Sequence, residues 1–350
     1  MRRSLRMPLV AAALLLAACR TDVSPPCEAG SAECIVLTIP RGATLSAAVD
    51  SLTAHQIVAP RMLFRLYARV RGLGRSLKSG IYAFRRETPW HEIVAALELG
   101  RGTLVRFTVR EGLQAGEIAD IAARQLQVPR DSFLTATHDS GLLELLGGSA
   151  HAESAEGYLY PTTYTIRPDL SGRELVRLMI QEFLNHWSPT WDARLDSLHM
   201  SLHDLVTLAS IIQSEVRYAP DREYVSAVYH NRLRLGMLLQ ADPTVVYAMG
   251  RRPRRVYEKN LLIRSPYNTY LYPGLPPGPI SQPDSASLAA ALYPARVPFL
   301  YFVAQPDGKH IFSVSYEEHL AAIRRVKEQV QEIRERARQT RDPQPRAQRR

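Results

Sequence analysis

Residues 208–250 read LASIIQSEVRYAPDREYVSAVYHNRLRLGMLLQADPTVVYAMG, and one acid within them decides how the chain is understood. At helical spacing Leu205, Leu208, Ile212, Glu215 and Ala219 recur at steps of three and four, so they share one face of a helix. Glu215 lies in that apolar stripe. Pro220 and Asp221 stop the helix and supply a cap for the next, in which Val225, Val228, Arg232 and Leu235 again share a face. A carboxylate on an apolar face is unusual, because desolvation raises its pKa and keeps it protonated near neutrality, the state a general acid needs. The alternative reading puts Glu215 at the edge of the stripe, paired with Arg217, Arg222 or Arg232. After Gly236 the segment mixes polar Gln240, Asp242 and Thr244 with apolar side chains, a pattern suited to lining a cleft.

The surrounding chain has the size and composition of a folded protein. With 350 residues, 46% of them hydrophobic, it can bury a core and form two or three domains. The net charge of +10 is concentrated at the ends: Arg2, Arg3 and Arg6 open the chain, and residues 324–350 hold ten Lys or Arg against four Asp or Glu. The middle is nearly neutral, which argues against a basic groove and hence against a nucleic-acid partner. The basic ends read as a targeting segment and a solvated tail.

Residues 1–18 combine a short basic region with an apolar run from Met7 to Ala18, too short for the roughly 20 helical residues that cross a bilayer. An exported chain is expected, with an uncleaved anchor as the alternative. Leu16-Ala17-Ala18-Cys19 resembles the lipobox of bacterial lipoproteins, which makes Cys19 the expected site of lipidation and the segment a lipoprotein-type signal peptide. Residues 19–34 then form a linker in which Cys27 and Cys34 are a candidate disulfide pair closing a small loop. The histidines do not cluster with these cysteines in a ligand-like spacing, so no metal is expected.

From Ile35 the chain carries a weak internal repeat. Residues 36–42 (VLTIPRG) match residues 106–112 (RFTVREG), each an alternating strand pattern ending at a Gly turn and followed by a helix-like stretch, 45–52 and 115–126 respectively. Residues 78–84 read as a turn and strand, 90–99 as an amphipathic helix, and 172–191 as a helical scaffold. Residues 156–164, EGYLYPTTY, set three tyrosines beside an acid. They suit a sugar platform, because aromatic faces stack on carbohydrate CH groups and carboxylates accept hydroxyl protons. The simpler reading is a Tyr-rich strand with Tyr158, Tyr160 and Tyr164 on one side. Residues 267–270 (YNTY) and 274–280 (GLPPGPI) form a rigid turn-rich segment that can wall a groove. Residues 299–303 suggest a buried strand, Asp307-Gly308 a hairpin turn and residues 310–314 the returning strand, followed by a charged helix at 317–338.

Six of these motifs together carry a resemblance. EGYLYPTTY, LASIIQSE, YHNRLRLGMLLQADPTVVYAMG, SPYNTY, GLPPGPI and FLYFVA occur in the order and spacing of the endolytic murein transglycosylase, or YceG-like, family, and the likeness runs from about Ile35 to about Val326. The resemblance implies an α+β fold. LysM-like β-α modules over 35–150 would precede a mixed α/β catalytic domain over 151–326, whose helix-turn-helix carries the catalytic glutamate, and residues 327–350 would be a basic helix end and tail. It implies an enzyme without a cofactor that cleaves the glycan of nascent peptidoglycan between N-acetylmuramic acid and N-acetylglucosamine, leaving a 1,6-anhydro end.

The family's catalytic glutamate, in its ASI-x-x-x-E motif, matches Glu215. Gln213 stands where some relatives have a second Glu, and no role is carried over to it. Glu156, Tyr158, Gln240, Asp242, Thr244, Tyr267 and Asn268 are the candidates, by resemblance and polarity, to hold the glycan. The expected partners are peptidoglycan strands, the membrane through the N-terminal anchor, and peptidoglycan synthases. Many relatives look like single-pass inner-membrane proteins, whereas the lipobox leaves the outer membrane open. Two other functions fit the same residues: a muramidase using water and a second carboxylate such as Glu156 or Asp242, and a non-catalytic peptidoglycan-binding lipoprotein in which Glu215 is a structural ion pair.

Overall fold

The computed structural model describes residues 35–341 except 41, 101–102, 148–151, 167–169 and 254. Cys19, Cys27, Cys34, the signal-like segment and the tail from Asp342 lie outside the described residues. The chain forms two compact units that divide between Leu104 and Val105.

The first unit contains β1 (Ile35–Ile39), α1 (Leu45–Ala54), α2 (Arg61–Val70), α3 (Leu73–Ser76), β2 (Gly80–Phe84) and α4 (Trp90–Leu99). β1 and β2 are antiparallel, with Ile35 opposite Phe84 and Ile39 opposite Gly80. Along β1 the period-two pattern holds: Leu37 and Ile39 are buried while Val36 and Thr38 face out. Beneath the strands lie Val49, Leu52, Phe64, Tyr82, Ile93 and Leu97. Thr44 caps α1 by accepting the Ala47 N–H.

β3 (Thr103–Thr108) opens with the last residues of the first unit, where Leu104 lies opposite Ile81 of β2. Within the second unit its remaining residues pair antiparallel with β4 (Thr163–Ile166), Val105 opposite Ile166 and Thr108 opposite Thr163. The rest of that unit is mostly helical. α5 (Ala115–Leu126), α6 (Arg130–Thr137) and α7 (Ser140–Leu143) precede β4; α8 (Gly172–His186), α9 (Pro189–Leu198), α10 (Leu202–Glu215), α11 (Arg222–Arg234), α12 (Asp242–Ala248) and α13 (Ser285–Leu292) follow it. A hairpin of β5 (Tyr301–Ala304) and β6 (His310–Ser313) leads to α14 (Tyr316–Arg341).

The mixed α+β class agrees with the sequence reading, and so do both strand-turn-helix pairs, β1–α1 and β3–α5. The division at 104/105 does not match the expected boundary near 150. Phe107 and Val109 after the division, with Ile118, Ala122 and Leu126 of α5, are buried in one core with Phe133, Tyr164, Met179 and Phe183, so the second repeat belongs to the larger unit. Three local expectations also change. The helical run at 172–191 breaks at Ser188, whose hydroxyl accepts the Thr190 N–H to start α9 at Pro189. Glu215 is the last residue of α10, so Ala219 lies beyond its helix, in a short 3-10 turn. Asp221 does precede α11 but makes no side-chain cap; its carboxylate instead accepts the backbone N–H of His310 at 2.7 Å.

Candidate active site

α10 is held more tightly than a one-sided amphipathic helix. Ser201 and Asp204 form a reciprocal capping box at its start, and every residue from Leu205 to Ile212 is buried. Its small polar residues receive the Pro-rich segment: the Ser210 hydroxyl accepts the Ile280 N–H at 3.0 Å, the Ser281 hydroxyl donates to the Ser210 carbonyl at 3.1 Å, and Gln213 Oε1 accepts the Ser287 hydroxyl at 2.7 Å. Gln213 is thereby committed to structure. The helix ends at Glu215, three residues past the buried run and just before buried Val216.

Glu215 is half-buried and, among the described residues, forms no ion pair: Arg222 pairs with Asp284, and Arg232 donates to carbonyls. Burial, then the nearby Asp242 carboxylate, push its pKa from 4.5 up to about 7. The carbonyl-rich C-terminal end of α10 acts in the same direction on a carboxylate placed there. Opposing them, the Tyr229 hydroxyl donates to Glu215 Oε1 at 3.2 Å. Tyr229 comes from α11, on the face shared by Val225 and Arg232, and burial raises its own pKa well above 10. It remains a neutral donor.

Asp242 is exposed at the start of α12 and accepts the Tyr270 hydroxyl at 2.6 Å. Tyr270 is held above its ordinary pKa by burial first and then by Asp242. The loop before α12 is fixed by Arg232, whose Nη1 donates to the Leu239 carbonyl at 2.9 Å and to Gln240 Oε1 at 3.3 Å while its Nε donates to the Leu300 carbonyl at 2.7 Å. Its guanidinium also stands over the Tyr301 ring, 5.2 Å from the centroid. Gln240 itself is exposed, at a φ of 53°, and its N–H donates to the Thr269 carbonyl.

The sequence candidates therefore fall into two groups. Glu215 and Asp242 come together, with Gln240 linked to them through Arg232 and the loop. Thr244 and Asn268 are wholly buried. The Thr244 hydroxyl bonds to Thr269 and the Ala241 carbonyl, and the Asn268 amide donates to the carbonyls of Leu261 and Ile263 while its oxygen accepts the Tyr270 N–H. They shape the loops that bear Asp242 and Tyr270. Tyr158, Tyr160 and Tyr164 are buried as well and precede or enter β4, so they form neither an open sugar platform nor one strand face. Tyr158 bonds to His203 and Tyr160 to Ser285, an apolar segment spending its polar tips internally.

Glu156 sits at the N-terminus of α5, where both carboxyl oxygens accept the Ala115 N–H and Oε1 also accepts the Gln282 amide. Burial raises its pKa to about 8 despite these donors. Tyr247 and half-buried Tyr267 lie beside it, their rings 4.8 Å apart. Gln282 was not singled out from sequence, yet it joins residues 112–113, Glu156 and Leu159 by side chain and backbone. Tyr229 and Tyr270 were likewise missed as partners of the two acids; the spacing of Tyr229 from Val225 and Arg232 was the available signal.

Comparison with known proteins gives a consistent family assignment. The YceG-like family model matches residues 37–325. An endolytic murein transglycosylase of Bacillus subtilis is 31% identical over 308 residues, covering 84% of this chain and 85% of the relative. One from Streptococcus pneumoniae is 27% identical over 326 residues, and there the match covers only 58% of the relative. A 2.6 Å crystal structure of a YceG-like protein from Listeria monocytogenes superposes with a TM-score of 0.59 at 31% identity, over 83% of this chain and 98% of that one.

Proposed function

Because this chain belongs to the YceG-like family, we propose that it is a lytic transglycosylase that cuts peptidoglycan glycan strands internally, between N-acetylmuramic acid and N-acetylglucosamine. The observation that carries this reading is a glutamate at the end of a buried helix, its pKa raised to about 7, with a phenol on one oxygen and, among the described residues, no ion-pair partner.

Protonated Glu215 donates its proton to the glycosidic oxygen, and the bond from that oxygen to the anomeric carbon of the muramyl residue breaks. The resulting carboxylate takes the proton of the same sugar's 6-hydroxyl as that oxygen attacks the anomeric carbon, which closes the 1,6-anhydro ring and returns Glu215 to its starting state. No water and no cofactor enter the balance. Tyr229 orients the carboxyl. Asp242 keeps it protonated and, with Gln240, Tyr267 and Tyr270, provides the polar groups that meet the sugars. Glu156, Tyr158, Thr244 and Asn268 act one layer back, as positioning residues for the loops.

The N-terminal unit serves as a LysM-like module that helps retain the strand. Lipidated Cys19 tethers the chain to the cell envelope with the catalytic unit in the periplasm, where cutting nascent strands beside the synthases ends their elongation. Digestion of purified sacculi by the full chain, followed by mass spectrometry of the muramyl ends, tests the reaction. Anhydro ends are expected. Ends heavier by one water would make the protein a muramidase with Asp242 as its second carboxylate, and binding without cleavage would make it a peptidoglycan-binding lipoprotein.

A further inference from the structure

α2 presents two unlike faces. Inward, Phe64 and Ala68 are buried, and Phe64 and Tyr67 meet Trp90 with ring centroids 5.5 and 5.8 Å away. Outward, Met62, Leu63, Leu66 and Val70 are exposed by 72%, 56%, 58% and 78%. These four fall within an arc of about 100° on the helix. Arg61, Arg65 and Arg69, at steps of four, form the adjoining column, and Arg71, Arg75 and Lys78 extend the charge past the helix end. Residues 61–78 hold six Arg or Lys and no Asp or Glu. Among the described residues only Arg61 of these has an acidic partner, Asp50.

We propose that α2 docks the N-terminal unit onto an anionic lipid surface, its apolar stripe entering the acyl boundary while the arginines engage headgroup phosphates. An apolar stripe this exposed is costly in water and gains by entering a membrane interface. The adjoining guanidiniums match phosphate geometry and are drawn to a negative leaflet. A glycan fits poorly, because among the described residues the apolar stripe and the arginine column of α2 bear no acceptor side chain, and the neighbouring Asp50 carboxylate is paired with Arg61. The location is consistent with an N-terminal anchor: 15 residues separate Cys19 from Ile35, a span of at most about 50–60 Å when fully extended. The proposal is independent of the chemistry assigned to Glu215.

The test uses the full chain with Cys19→Ser, Cys27→Ser and Cys34→Ser, carrying Leu66→Cys labelled with nitrobenzoxadiazole, on vesicles of phosphatidylcholine with or without phosphatidylglycerol. A blue-shifted emission quenched by brominated acyl chains is expected on the anionic vesicles. Arg69→Glu with Arg71→Glu should lower the lipid-embedded fraction at least about tenfold and leave digestion of soluble glycan unchanged. A probe that stays in water on both vesicles would overturn the assignment and leave the patch to a protein partner. A concentration-dependent blue shift without vesicles would overturn it in favour of a second copy or a segment of this chain.

Discussion

At the scale of the residue, the chemistry turns on how one carboxyl group is kept neutral. Burial, the Asp242 charge and the end of α10 all disfavour ionised Glu215, and among the described residues the Tyr229 hydroxyl alone favours it. The acid form is the one that starts the reaction, so turnover should decline as pH rises through about 7. The two neighbours should move that decline in opposite directions. Asp242→Asn removes a like charge and shifts it to lower pH; Tyr229→Phe removes the donor to the carboxylate and shifts it to higher pH. Rate against pH for glycan cleavage by the three proteins checks both signs.

The same shift bears on stability. A carboxyl whose pKa is raised on folding contributes fully below its unfolded pKa, near 4.5, and the contribution is lost as pH climbs to the folded value of about 7. Glu156, raised to about 8, extends the loss to slightly higher pH with the same sign. Glu215→Gln should therefore unfold at higher denaturant than the native chain at pH 8 and show little advantage at pH 4, a difference of a few kcal/mol between the two conditions. Equal advantages at both would mean that the group is not perturbed by the fold. The unusual placement of Glu215 was legible in the sequence, because a stripe of period 3.6 exposes an acid that breaks it. The partners that set its pKa come from α11 and from residues 242–270, and no local pattern relates those positions to the end of α10.

At the scale of the element, the site depends on segments that thread against α10. Gly157 has a φ of 86°, and a Cβ there would stand 2.9 Å from Val206 and closer still to Pro279. Only glycine lets the EGYLY turn pass between the helix and the GLPPGPI segment. Gly157→Ala should cost about 2–4 kcal/mol in strain and overpacking, read as a lowered midpoint of thermal unfolding. Arg232 ties α11 to the loop before α12 and to Leu300 ahead of β5 by donating to their backbone carbonyls. Arg232→Lys keeps the charge but loses the fork and should cost about 2–3 kcal/mol, with Gln240 and Asp242 displaced and turnover reduced. Periodicity alone located α1, α4, α5, α10 and the β5–β6 hairpin, each defined by local spacing and turn residues. It misread the tyrosines of residues 158–164, because a buried tyrosine with an internal partner and one on a sugar platform leave the same trace in sequence.

At the scale of the whole molecule, the order of elements was readable and the division of the chain was not. The repeat at 36–42 and 106–112 suggested one module of two similar parts, yet the core that receives Phe107 and Ile118 is built largely from residues far along the chain. Sequence spacing cannot reveal which core a helix will join. The resemblance carried by six motifs in register reaches further, since the same family model spans 37–325 and a relative is alike across most of its length. In this structure those motifs hold mostly the frame around Glu215: Gly157, the serines of α10, the carbonyl-binding Arg232 and the buried Thr244 and Asn268.

The measurement that bears most directly on this account is a side-by-side digest of purified sacculi by the native chain and Glu215→Gln, with sacculus binding measured on both. Anhydro-muramyl ends are expected from the native chain, none from the variant, and equal binding by the two. Anhydro ends released by Glu215→Gln at near the native rate would contradict this account, because the proton that opens the glycosidic bond would then come from another group.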